Sequence, residues 1–139
     1  MPRVVGMELT LSTCFVQVHD PDAALAFYRD VLGLTVSNDV ANGDARWITV
    51  GSDAQPDIRI VLTNYVNGGP DDVDVVAGLL AKGAMNGVHF RARDLDAVFA
   101  KLREAGTEIV QEPTDQPWGV RDGALRDPSG NLIRIDQAG

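Results

Sequence analysis

The chain has 139 residues, 45% hydrophobic and 23% charged, with a formal net charge of −8. That length accommodates a well-packed core, and an acidic chain whose only lysines are Lys82 and Lys101 shows no basic run, so nucleic acid is not an expected partner. No apolar stretch approaches the roughly 18 residues of a membrane span, so no membrane partner is expected either.

The first residues, "MPRVVGMELTL", lack an apolar core and a small-residue cleavage site. They read as no secretory signal, and a cytoplasmic location is the default expectation. "ELTLSTCFVQV" (8–18) then reads as a strand of apolar and β-branched residues with polar ones interleaved. Within it lies Cys14, the only cysteine. One thiol forms no intrachain disulfide and no Cys-rich zinc site, so a small buried side chain is expected there.

Asp20 is placed as an N-cap with Pro21 at the first helical position. Ala24, Phe27, Tyr28 and Val31 form the apolar stripe of that helix, and Gly33 ends it. Strands follow at 34–39, 45–51 and 57–65, separated by the turn-forming stretches "ANGD" and "SDAQP". The connector, 66–85, opens on "VNGGPDD". Asp71 or Asp72 is a candidate cap for a short helix through Leu80, with Gly83 beyond its end.

A second unit, about 86–137, repeats the first, about 7–65. Strand 87–92 leads to Asp94 as a cap, then Leu95, Phe99 and Leu102 on one helical face, then Gly106. Strands are expected near 107–112, 120–126 and 131–136. The repetition is visible in the residues: Asp20, Asp22, Ala23, Ala26 and Arg29 recur at one offset as Asp94, Asp96, Ala97, Ala100 and Arg103, and "DIRI" (57–60) returns as "LIRI" (132–135). Each unit is therefore β-α-β-β-β. In "RDPSGNLIRI", Asp127-Pro128 starts a turn and Ser129-Gly130-Asn131 completes it.

With "VHDPDAALAFYRDVLGL" in the first unit and "PWGVRDGALRDPSGNLIRI" in the second, nearly the whole chain resembles the vicinal oxygen chelate superfamily of glyoxalases, extradiol dioxygenases and bleomycin-resistance proteins. Its second-unit residues look most like the drug-binding and uncharacterised bacterial branches. The resemblance implies an α+β fold in which two tandem β-α-β-β-β units form a curved mixed sheet around a cleft, in a homodimer whose units pair within one chain or between chains. In that family's metal enzymes four ligands face the cleft. Their positions fall here on Thr13, on Val61 or Arg59 according to register, on Gly87 and on Arg134. A guanidinium has no acceptor for a cation, and Thr13, Val61 and Gly87 supply at most one hydroxyl. No metal and no other cofactor is therefore expected.

Strand alternation gives the expected cleft lining. Thr13, Phe15 and Gln17 share one face of the first strand, Arg59 and Val61 one face of the fourth, His89 and Arg91 one face of the fifth, and Arg134 and Asp136 one face of the last. Trp47 lies on the third strand, and Trp118 in a Pro-Trp-Gly loop. Arg134 either grips a ligand oxygen or pairs with an acid such as Asp136. The functional expectation is a metal-free small-molecule binding protein that sequesters a drug or secondary metabolite. The alternatives are a metal-independent lyase or isomerase acting on a small carbonyl compound, and an interaction module with a vestigial cleft.

Overall fold

The structure, a computed structural model, describes residues 6–139. Residues 1–5, which begin the stretch read for a secretory signal, lie outside the described residues. The elements alternate as the repeat requires. The first unit comprises β1 (Thr13–Gln17), α1 (Pro21–Leu25) continuing into a π-helical segment (Ala26–Val31), β2 (Thr35–Asn42), β3 (Ala45–Gly51) and β4 (Arg59–Thr63). The connecting helix α2 (Pro70–Ala81) leads to β5 (Asn86–Ala92), α3 (Leu95–Glu104), β6 (Glu108–Asp115), β7 (Arg121–Arg126) and β8 (Leu132–Gln137).

The strands hydrogen-bond as two four-stranded mixed sheets, ordered β1-β4-β3-β2 and β5-β8-β7-β6, that touch along β1 and β5. In each sheet the first and last strands of a unit run parallel and the rest antiparallel. This explains why β1 and β4 are shorter than their β-prone sequences. A strand lasts only as long as its partner, and the parallel ladder runs from Thr13 opposite Arg59 to Gln17 opposite Thr63. Conversely β6 continues past Pro113, where the sequence reading ended it. It is an edge strand with irregular pairing between Gln111 and Thr114, the setting that tolerates a missing N–H.

Both caps form. Asp20 Oδ1 accepts from the N–H groups of Asp22 and Ala23 at 3.1 and 3.2 Å, and Asp94 Oδ1 from Ala97 N–H at 3.1 Å. The connector is a helix, but its cap is Gly69. Asp72 acts from inside the first turn, its Oδ2 accepting from Gly69 N–H at 2.9 Å. The π segment was not legible from periodicity. There Leu32 N–H bonds back to Phe27 O at 3.0 Å, and the widened turn puts the consecutive aromatics Phe27 and Tyr28 both in the core.

One face of each sheet packs on the helices. Val16, Ile48, Val50, Ile60 and Leu62 of the first sheet and Leu125, Ile133 and Ile135 of the second join α1 and α3 in one contiguous core. Leu95, Phe99 and Leu102 of α3 are essentially inaccessible to solvent, each burial contributing about 1.5–3 kcal/mol. Gly123 of β7 permits this contact, since a Cβ there would lie 2.4 Å from Phe99 Cζ. The Asp127 turn ties the second unit to the first. Asp127 Oδ1 accepts from the N–H groups of Ser129, Gly130 and Asn131 at 2.9–3.0 Å. Asp127 Oδ2 accepts from Tyr28 Oη at 2.7 Å and from Asn131 Nδ2 at 2.9 Å. Asn131 Nδ2 also donates to Gln17 O at 2.7 Å, and Ser129 Oγ accepts from His19 N–H at 2.9 Å.

Candidate functional site

The faces turned away from the helices carry the residues singled out above, divided between the two sheets. On the first sheet, register aligns Gln17, Thr63, Trp47 and Val40 in one rung and Phe15, Val61, Thr49 and Asn38 in the next. Thr13 and Arg59 pair beyond them. The Phe15 and Trp47 rings meet edge to face with centroids 5.2 Å apart. They remain 59% and 39% exposed, so this aromatic pair is a surface feature and not core packing. Trp47, Val40, Thr63 and Tyr65 line a pocket of about 380 Å³.

The second sheet carries the charge. One rung reads His89, Arg134, Ala124, Gln111; the next reads Arg91, Asp136, Asp122 and, across the irregular edge, Thr114. His89 Nε2 lies 2.8 Å from Asp136 Oδ1. His89, Arg91 and Asp136 also line a groove of about 670 Å³ with Cys14, Ile58 and Ile60 of the first unit. Cys14 is half-buried there.

Arg134 does not take the acid expected from its own strand. Asp136 is engaged by His89, and the nearest acid to Arg134 is Asp122, with Nη1 to Oδ2 at 3.5 Å. Both contacts are diagonal ones between neighbouring strands, since the register partner of Arg134 on β7 is Ala124 and that of Asp136 on β5 is Arg91, and long side chains cover the roughly 7–8 Å to the next rung. Asp122 was missed in the sequence because "VRDGALRD" offers four charges and no sign of which are buried. Its carboxylate is nearly buried, and Oδ1 accepts from Gln116 Nε2 at 2.9 Å and Gln111 Nε2 at 3.0 Å. The Gln116 bond, then the Gln111 bond and the charges of Arg134 and His89, hold this carboxyl below the usual aspartate range against the opposing effect of desolvation. Trp118, 71% exposed, sits in the turn between β6 and β7.

The four positions that bear metal ligands in related enzymes do not fit a divalent ion in this chain. Thr13 offers one hydroxyl, Gly87 no side chain, Val61 a hydrocarbon (Arg59, in the other register, a cation), and Arg134 a cation leaning on Asp122. Among the described residues no group of three or more His, Cys, Asp or Glu side chains converges as a metal site. No helix among them is long and apolar enough to cross a membrane.

Two β-α-β-β-β units joined by a helix, each presenting one open sheet face, define a tandem-unit α+β fold. The glyoxalase/bleomycin resistance protein/dioxygenase superfamily model matches residues 10–135, and the chain belongs to that family. It is 32% identical over 132 residues to the uncharacterised protein YurT of Bacillus subtilis, covering 94% of this chain and 99% of that one. The crystal structure of UcmS2 superposes with a TM-score of 0.85 at 32% identity, covering 95% of this chain and all of that one. TnmS3, an antibiotic binding protein from Streptomyces sp. CB03234, superposes with a TM-score of 0.73 at 27% identity, covering 96% of this chain and all of that one.

Proposed function

We propose that this chain is a metal-free binding protein for a small, planar, partly apolar molecule, such as an antibiotic or secondary metabolite, which it sequesters. The observation that carries the reading is the exposed Phe15–Trp47 pair on an open sheet face. An aromatic wall with a few placed polar groups is the usual make-up of such a site, and large exposed aromatics in a soluble chain mark a surface that binds something. The antibiotic-binding TnmS3 supports the same ligand class. In this reading Trp47 stacks on the ligand, with Thr13, Phe15, Gln17 and Arg59 beside it and Val61, buried, beneath them. His89, Arg91, Arg134 and Asp136 supply the polar pole, and Trp118 borders it.

The aromatic and polar faces belong to different sheets of one chain. A homodimer in which the first sheet of one chain faces the second sheet of its partner brings them together and covers the exposed side chains of Phe15, Val40, Trp47 and Tyr65. Light scattering at micromolar concentration tests this. A monomer in solution refutes the shared cleft.

The test of binding is a titration of planar aromatic compounds followed by tryptophan fluorescence and thermal shift. A compound at 100 times its Kd raises stability by about 2.7 kcal/mol. Saturable quenching by a planar compound that persists in chelator is the expected result. If none of a chemically broad panel of planar compounds quenches or stabilises the protein, the reading fails.

A further inference from the structure

A cavity of about 740 Å³ opens where three segments meet: His19 just after β1, the last turn of α2 with Lys82, and the Asp127 turn with Arg126 and Ser129. It shares no residue with the open sheet faces, and neither tryptophan lines it. Two glycines set its walls. Gly130, with φ +108°, leaves no room for a Cβ against Leu80 O, so the turn rests directly on the end of α2. Gly83 has φ +75°, and a Cβ there would lie 2.8 Å from Arg126 Cζ, so the guanidinium packs against the same helix end. Arg126 Nη1 donates to Gly83 O at 3.1 Å and to Gly130 O at 3.0 Å, which holds the side chain in place.

The acids around this cavity are engaged, and the groups left over are donors. Asp127 accepts from the Tyr28 hydroxyl, the Asn131 amide and three backbone N–H groups. Asp20 caps α1, and Glu108 pairs with Arg126 Nε at 3.4 Å. At the end of α2, Gly78 O and Leu80 O accept from the N–H groups of Lys82 and Gly83. By contrast, Arg126 Nη2, Lys82 Nζ and the His19 ring bond to nothing among the described residues. Ser129 adds a further donor. It is only 9% exposed, its Oγ accepts from His19 N–H at 2.9 Å, and its own proton has no acceptor among the described residues. A buried hydroxyl that has spent a lone pair and not its proton lacks an acceptor.

We infer that this cavity binds a small organic phosphate monoester, held by Ser129 Oγ–H, Lys82, Arg126 Nη2 and His19. A phosphate brings three terminal oxygens in a tetrahedral array and accepts from several directions, which suits donors arriving from three segments. A carboxylate offers two oxygens in one plane. Ala77, Gly78 and Ala81 of α2 leave room beside the donors for the organic part. The net charge of −8 repels anions at a distance, so recognition rests on contact with these donors and not on long-range attraction. The cavity joins the first unit, the connector and the second unit, so its occupant stabilises the folded chain by mass action.

The experiment uses the whole chain and glycerol 2-phosphate, which has no flat ring to stack on Trp47. Glycerate and sulfate at matched ionic strength are the comparisons. Thermal shift reads binding, proton NMR of the imidazoles reads its place, and tryptophan fluorescence reads the open faces. The chain has two histidines, and the His19 signals are those that persist in H89Q. Glycerol 2-phosphate should raise the melting midpoint saturably and move the His19 signals without quenching tryptophan. Lys82→Glu should weaken it about tenfold or more, the loss of one charge-assisted bond. Glu108→Gln, which removes an acid and frees Arg126 Nε, should tighten it. Lys82 and Glu108 are both exposed, so these variants keep the fold, as circular dichroism will check. An equal shift with sulfate overturns the site as a general salt effect, and equal binding of glycerate overturns the phosphate. Binding that leaves the His19 signals unmoved, or that survives Lys82→Glu unchanged, or that weakens in Glu108→Gln, overturns the inference, as does no thermal shift at all. Each of these outcomes leaves the planar-ligand reading untouched, since that reading rests on other residues and on tryptophan quenching.

Discussion

Replacing Tyr28 with phenylalanine removes the hydroxyl from one of the hydrogen bonds that join the two units. The Tyr28 side chain is fully buried, and its hydroxyl donates to Asp127 Oδ2 at 2.7 Å. Without it that oxygen keeps only Asn131 Nδ2, while Oδ1 retains its three backbone donors. The turn therefore survives, and the cost is one hydrogen bond to a charged acceptor, about 1.5–3 kcal/mol. That is a large share of the roughly 5–15 kcal/mol that holds a domain together. A urea melt should show a lower midpoint at unchanged slope. The pH dependence gives a second signature. Burial, then the charge and the hydrogen bond of Asp127, raise the Tyr28 pKa well above the ordinary value near 10. The unfolded chain thus loses this proton at a pH where the folded chain keeps it. The contribution is fully present below about pH 10 and is lost as pH rises through the folded pKa. The stability gap between wild type and Y28F should hold from pH 7 to 9 and narrow above 10. A loss under about 0.5 kcal/mol at pH 7, or a gap that does not change between pH 9 and 11, would refute the reasoning.

Three further outcomes are expected. Asp122→Asn should flatten the fall in stability on acidification. The depressed carboxyl contributes fully above the unfolded value near 3.8 and loses that contribution as pH drops through the folded one, which melts between pH 2.5 and 5 will read. Gly123→Ala forces a methyl group against the Phe99 ring and should cost about 1–3 kcal/mol in a thermal or urea melt. Trp47→Ala should weaken a planar ligand by about tenfold or more through lost stacking and lost area, as titration by thermal shift will show, with a parallel loss of folding stability because the ring, 39% exposed, also packs on Phe15.

The sequence by itself determined the tandem organisation. Asp20 and Asp94 could be read as caps because an N-cap acts on backbone groups within its own first turn, and the inward faces of α3 and the central strands could be read because strand and helix periods are local geometry. The cation at 134 also followed from sequence, and with it the misfit to a divalent ion, since that depends on residue type and on alternation along a single strand. Three things needed the tertiary structure. The π segment at Ala26–Val31 arises where Phe27 and Tyr28 must both enter a core shared with α3, a demand set by a partner element. The Asp127 turn looked like a simple reversal in sequence, yet its carboxylate and Asn131 reach Tyr28 and Gln17, far away in the chain. Finally, the pairing of charges was decided by strand order. Arg134 meets Asp122, and Asp136 meets His89, because β8 lies between β5 and β7, and each pair is a diagonal contact between adjacent rungs of neighbouring strands.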